Sequence, residues 1–254
     1  MLFHCVLWNS RFVRFASNPE LIKHHYSLQL NQPNYQRLIQ DPHRAVLGSF
    51  DDHDYGLNDG GAEFVFRAES KDLLLEFLNE PQISPRWNHS GAYAAYTYGH
   101  HYSNRQTLII LLDNRYFHSE KQGIMLGEEQ WEWFGNVLRQ HPHVSLIIIT
   151  SGIQMVSINK PIGESWRRTP ADRIRLFETI QNNTNLHANH TQAVLLLSGD
   201  VHLAELTISH YCHKFDDVTR VTPLIELTSS GLTHALGLQL WPIRDHLNGR
   251  VVIV

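Results

Sequence analysis

The sequence predicts an α/β fold, and three observations carry that prediction. Strands and helices alternate from residue 107 onward, the strands are unbroken apolar runs, and polar residues collect just past the strand ends. Unbroken apolar strands belong to sheets buried on both faces, with helices as the outer cover. In such folds ligands bind at the edge where the strands end.

The elements follow in order. Asn18-Pro19 opens a helix, with proline at its first position, that runs through Glu20 to about Leu30. A second short helix covers Asn34 to Gln40. Ala45-Val46-Leu47 is a short apolar strand that leads to the acidic cluster at Asp51, and Lys71 to Leu78 has helical character. Thr107 to Leu112 is a buried strand. Glu128 to Gln140 is a helix with Trp131, Phe134 and Leu138 on one face at three- and four-residue spacing. Val144 to Ile149 is a strand, and Pro170-Ala171 opens a helix carrying Ile174, Phe177 and Ile180. Ala193 to Leu197 and Leu224 to Leu227 complete the predicted strands.

Composition bounds the function. At 254 residues with 42% hydrophobic content, the chain can bury a substantial core in one large domain or two small ones. A net charge of −4 with no basic stretch argues against a nucleic-acid-binding surface. No apolar run reaches the roughly 18 residues that cross a membrane. The apolar Met1–Trp8 stretch precedes Arg11 and Arg14, the reverse of a secretory signal, while sequons at Asn88, Asn182 and Asn189 leave a secretory route open. Cys5 and Cys212 read as free thiols. The 18 histidines hint at metal or proton chemistry, though most sit in polar segments and read as solvated.

Two constellations stand out. Asp51-Asp52-His53-Asp54 places three carboxylates and an imidazole in four residues, which repel unless a cation or another partner offsets them. The competing reading is a solvated acidic turn before Gly56. Ser198-Gly199-Asp200-Val201-His202 puts two ligand-type side chains two residues apart, facing the same way if the backbone is extended. Its competing reading makes Asp200 the N-cap of a helix over His202 to His210. Arg115, after the strand ending in Leu112, is suited to clamp a phosphate with its planar fork, or else to pair with Asp113. Ser229, Ser230 and His234 lack the G-x-S-x-G elbow of a serine hydrolase. The aromatic-rich stretch with Trp87, Tyr93, Tyr96 and Tyr98 reads as packing in preference to a pocket wall.

The chain resembles the alkaline phosphatase D-like (PhoD-like) phosphatases of the calcineurin-like metallophosphoesterase superfamily. The resemblance rests on the runs from Asp51 to Gly61, Leu112 to Phe117, Leu126 to Trp131, Ser151 to Gln154, Glu164 to Trp166, Leu197 to Glu205 and Thr228 to His234, in the family's order. It implies a single partial domain over residues 1–254, with its core at 18–235, built as a four-layer α/β/β/α sandwich truncated at both ends. It implies metal-dependent hydrolysis of phosphate mono- or diesters. Asp52, Asp200 and His202 would hold the metal, two ions in a complete family member, with Ca, Fe, Mn, Mg and Zn not distinguished. His53 would protonate the leaving oxygen or stabilise the transition state, Asp54 would orient His53, and Arg115 would bind a phosphoryl oxygen. The family's upstream Gly-Asp-x-x-Tyr-x-Asp segment has no counterpart in residues 1–17, which hold no Asp or Glu, and Phe50 stands where the family has Trp. The alternative expectation is therefore a non-catalytic relative or fragment acting at most as a binding module.

Overall fold

The computed structural model describes residues 18–99, 106–157, 163–184, 192–215, 218–230 and 250–253. Four helices come first: α1 (Pro19–Leu30), α2 (Pro33–Ile39), α3 (Asp52–Tyr55) and α4 (Arg67–Phe77). The Asn18 side chain accepts the Leu21 N–H and caps α1. Tyr26, Tyr35 and Phe77 stack, and with Ile22, Phe50, Tyr55, Phe64 and Leu74 they form a core of their own. The expected strand at Ala45–Leu47 does not form; the chain runs there without a sheet partner to the buried Phe50.

The remaining strands build one sheet: β1 (Ala94–Tyr98), β2 (Thr107–Leu111), β3 (Leu146–Ser151), β4 (Ala193–Ser198), β5 (Ala204–Phe215), β6 (Val218–Ser229) and β7 (Arg250–Ile253). Their order is β1-β2-β3-β4-β6-β5-β7. Strands β2, β3, β4 and β6 are parallel, so their carboxyl ends share one edge. Helices α5 (Glu128–Gln140) and α6 (Pro170–Asn183) connect β2 to β3 and β3 to β4. Leu108, Ile110, Ile147, Ile149 and Leu196 meet Trp131, Phe134, Leu138, Phe177 and Ile180 of these helices in the main core. Ile174, read together with Phe177 and Ile180 on this helix, is exposed, on the side of α6 opposite the buried Leu176.

The described residues hold one sheet. Toward β1 and β2, its second face buries Ala94, Ile109, Leu111 and Ile148. Farther along, Ile208, Val221, Ile225 and Leu227 are partly exposed.

The structure departs from the sequence reading most between residues 202 and 215. The helix weighed for His202–His210 is a strand, β5, in a twelve-residue antiparallel hairpin with β6. Glu226 on β6 is fully buried and accepts the N–H groups of Met155 and Val156 at 2.7 and 2.9 Å, tying the loop after β3 to the sheet. Tyr93 is buried and stacks on His89, and Tyr96 bonds Glu80 and Arg86, so much of the aromatic stretch packs as expected. Tyr98 lies partly exposed at the end of β1. Cys212 is a free exposed thiol; Cys5, Asn189 and His234 lie outside the described residues.

Candidate metal centre

The acidic cluster sits on α3, a single turn closed at both ends. The Asp54 Oδ1 accepts the Asp51 N–H at 2.8 Å, and the Asp51 side chain accepts the N–H of Asp54 in return. This capping box satisfies donors that open a helix. Gly56 ends the turn at φ 109°, where a side chain would be strained. Asp51, Asp52 and Asp54 are all buried, so the solvated acidic turn is excluded.

The second segment leaves β4 at Ser198. The Gly199 N–H donates to Gly152 O, and Asp200 and His202 both take left-handed φ, 72° and 56°. The extended backbone expected here is thus replaced by a tight turn that projects Asp200 back over the sheet edge. Carboxylate oxygens of Asp51, Asp52 and Asp200 lie within 4.8 Å of one another. Among the described residues this is the one group of metal-ligating side chains that meets that spacing; His202 is not in it. The His202 backbone N–H donates to Ser230 Oγ at 3.0 Å, and its ring is half-buried.

Three like charges so close require compensation. Burial, with Asp52 and Asp200 beside it, pushes the Asp51 carboxyl well above the usual range, even with Arg115 opposing. Burial pushes Asp54 up to about 8, although two backbone N–H groups hold it down. Asp51 Oδ1 and Asp52 Oδ1 are buried with no hydrogen-bond partner. Buried oxygens in that state are what a cation would satisfy. An all-carboxylate donor set suits hard cations such as Ca, Mg or Mn. The three carboxylates therefore fit the expected kind of metal, with Asp51 added to the expected Asp52 and Asp200.

Arg115 borders the cluster and is fully buried. Asp113 Oδ1 accepts the backbone N–H groups of Arg115 and Tyr116, so Asp113 shapes the turn, and the weighed Asp113–Arg115 pairing is not the contact the guanidinium makes. That group instead donates from Nη1 to Glu164 Oε2 at 2.5 Å, while Nη2 lies 3.8 Å from Asp51 Oδ1. Burial works against its charge, but Glu164, Asp52 and Asp51 outweigh burial and raise its pKa, so it stays a cation. His53 is half-buried, its Nε2 3.9 Å from Asp52 Oδ1. Glu164 and Asp51 are site residues that sequence reasoning did not assign. Asp51 was visible inside the cluster; Glu164 stood in a run that carries the resemblance, but nothing local pairs it with Arg115, 49 positions away.

This architecture is a PhoD-like fold. A solved structure of PhoD is similar to it with a TM-score of 0.54 and 22% sequence identity, covering 75% of this chain. The chain spans 40% of the length of that PhoD chain. No protein-family model and no curated protein matches the chain. Among the described residues no helix is long and apolar enough to cross a membrane.

Proposed function

We propose that the chain is a metal-dependent phosphoesterase of the PhoD-like type, hydrolysing phosphate mono- or diesters. The observation that carries this reading is the meeting of Asp51, Asp52 and Asp200 beside the buried Arg115 cation, with Oδ1 of Asp51 and of Asp52 lacking hydrogen-bond donors. Such a site offers places both for a hard cation and for the anion it attracts.

In this reading Asp51, Asp52 and Asp200 hold the cation, which supplies positive charge for the phosphoryl oxygens. Arg115 binds a non-bridging oxygen and steadies the charge that grows there. His53 gives a proton to the departing oxygen. Asp54 acts on His53 through the capping box that fixes its turn. The second ion and the ligand role of His202 that the resemblance implies, like the complete four-layer sandwich, belong to this proposal. The partly exposed apolar side chains of Ile208, Val221, Ile225 and Leu227 support a further layer on that face.

The test loads the purified chain separately with Ca²⁺, Mn²⁺, Mg²⁺, Zn²⁺ or Fe³⁺ and assays p-nitrophenyl phosphate and bis(p-nitrophenyl) phosphate. Turnover that EDTA abolishes and Asp52→Asn removes supports the reading. Bound metal without turnover of either ester sinks it in favour of a non-catalytic relative.

A further inference from the structure

Glu164 sits in the loop before α6, and its carboxylate is 2% exposed. It spends Oε2 on Arg115 Nη1, which also lies 3.4 Å from Gly60 O. The other edge of the guanidinium, Nε with Nη2, is buried and has no hydrogen-bond partner among the described residues. Its Nη2 stops 3.8 Å from Asp51 Oδ1, close enough for charge attraction and too far for a hydrogen bond. A buried guanidinium left with two donor nitrogens unused is uncommon, because each unsatisfied donor is costly. The side-on edge of arginine is also the edge that grips two oxygens of a tetrahedral anion at once.

Resting on the phosphoesterase reading, we infer that Glu164 is a positioning residue: it holds Arg115 by Nη1 so that the Nε–Nη2 edge stays free and faces the carboxylate rim, where it takes two oxygens of a phosphoryl anion. Without the Glu164 charge, only the neutral Gly60 carbonyl remains on the Nη1 side, and the guanidinium turns its donors onto the Asp51 carboxylate. The fork is then consumed by Asp51, which is also a candidate ligand. Glu164 thus sets affinity for the anion without touching it.

The test uses the full chain loaded with Mn²⁺ and titrated calorimetrically with inorganic phosphate, with Mn²⁺ affinity measured separately. Glu164→Gln is expected to weaken phosphate binding by at least about tenfold, the scale of a lost charge-assisted fork. Mn²⁺ affinity also falls, because the released fork competes for Asp51, so the phosphate titrations are run with Mn²⁺ saturating each variant. Arg115→Lys, which keeps the charge and loses the fork, weakens phosphate similarly. The double variant is no weaker than Arg115→Lys alone, because Glu164 acts only through Arg115. A second measurement needs no substitution in Glu164: the Arg115 Hε resonance of the wild-type chain should move downfield when phosphate is added. Unchanged phosphate affinity in Glu164→Gln, additive losses in the double variant, or an Hε resonance indifferent to phosphate would each overturn the positioning role while leaving the phosphoesterase reading in place. A wild-type chain that binds Mn²⁺ but no phosphate overturns both.

Discussion

The Asp59 N–H donates to Asp52 Oδ2 at 3.0 Å, which turns the opposite oxygen of Asp52 toward the carboxylate cluster with no donor of its own. Asp59 holds this geometry at φ 53°, an uncommon value for a residue with a side chain. Strain of this kind marks positions that the surrounding structure over-determines, often at functional sites. If the free oxygen is a metal ligand, Asp52→Asn lowers Mn²⁺ affinity by at least about tenfold to a hundredfold, the range seen even for groups one step removed from a metal. Saturating Mn²⁺ raises the wild-type melting temperature by mass action, EDTA reverses the rise, and the variant loses most of it. An equal melting shift in both chains removes Asp52 from the ligand set.

His118 provides a pH-dependent test of the buried wall behind the cluster. Its ring is 5% exposed, with Nδ1 3.9 Å from Glu164 Oε1. Burial first, and the neighbouring Arg115 second, lower its pKa from 6.5 to about 4. The unfolded chain therefore binds a proton between those values that the folded chain refuses. Stability from this group is fully present above pH 6.5 and is lost as pH falls toward 4, amounting to about 3 kcal/mol in all. His118→Gln does not titrate. Urea unfolding at pH 7 and pH 4.5 should show wild type losing stability relative to the variant on acidification; parallel curves contradict the neutral buried ring.

Asp54 has the opposite sign. Its folded pKa of about 8 lies above the model-compound value of 3.8, mainly through burial. Between those values the metal-free folded chain keeps a proton that the unfolded chain sheds, so stability falls as pH rises through the window. Asp54→Asn keeps the oxygen that accepts the Asp51 N–H and carries no titratable group. In EDTA the variant should gain on wild type as pH is raised from 5 to 8. A constant difference would mean that Asp54 is ionised throughout, with its charge compensated in a way the burial of the turn does not suggest.

Of the strands from Thr107 onward, β2 and β3 were the most legible, because both of their faces are buried and they are apolar along most of their length, whereas β6 showed only in its apolar Leu224–Leu227 stretch. β5 was not legible, because its buried positions are polar: Glu205 and Thr207 face the core side, and Gln154 Nε2 reaches Glu205 Oε2 at 2.9 Å. A carboxylate satisfied by a glutamine 51 positions away looks, in sequence, like a solvated residue. The same reason hid Glu164. Asp200 was readable at the carboxyl edge because it follows β4, but Asp51 was brought there in sequence by a strand at Ala45–Leu47 that does not form, and its candidacy as a ligand was not read: a residue at a helix N-cap ordinarily spends its carboxylate on the helix. Here one oxygen of Asp51 remains without a hydrogen-bond donor beside Asp200 and Arg115.

Gly152 joins the two halves of the site, and replacing it tests whether they act together. Its N–H donates to Asn114 Oδ1 at 2.8 Å, and its carbonyl accepts the N–H of Gly199, the residue before Asp200. A Cβ on Gly152 would stand 2.5 Å from Phe50 O, a backbone atom adjacent to Asp51, and 3.3 Å from Asn114 Oδ1. Backbone cannot rotate away as a side chain can, so the segment carrying Asp51 must shift. Gly152→Ala should destabilise the fold by about 1–3 kcal/mol, as overpacking does. It should also weaken Mn²⁺ binding, because Asp51 moves while Asp200 stays tethered through Gly199. Calorimetry of metal binding, at a temperature where the variant is fully folded, separates the two effects. Destabilisation with Mn²⁺ affinity intact would show that Asp51 is not part of the centre, leaving Asp52 and Asp200 as its anchors.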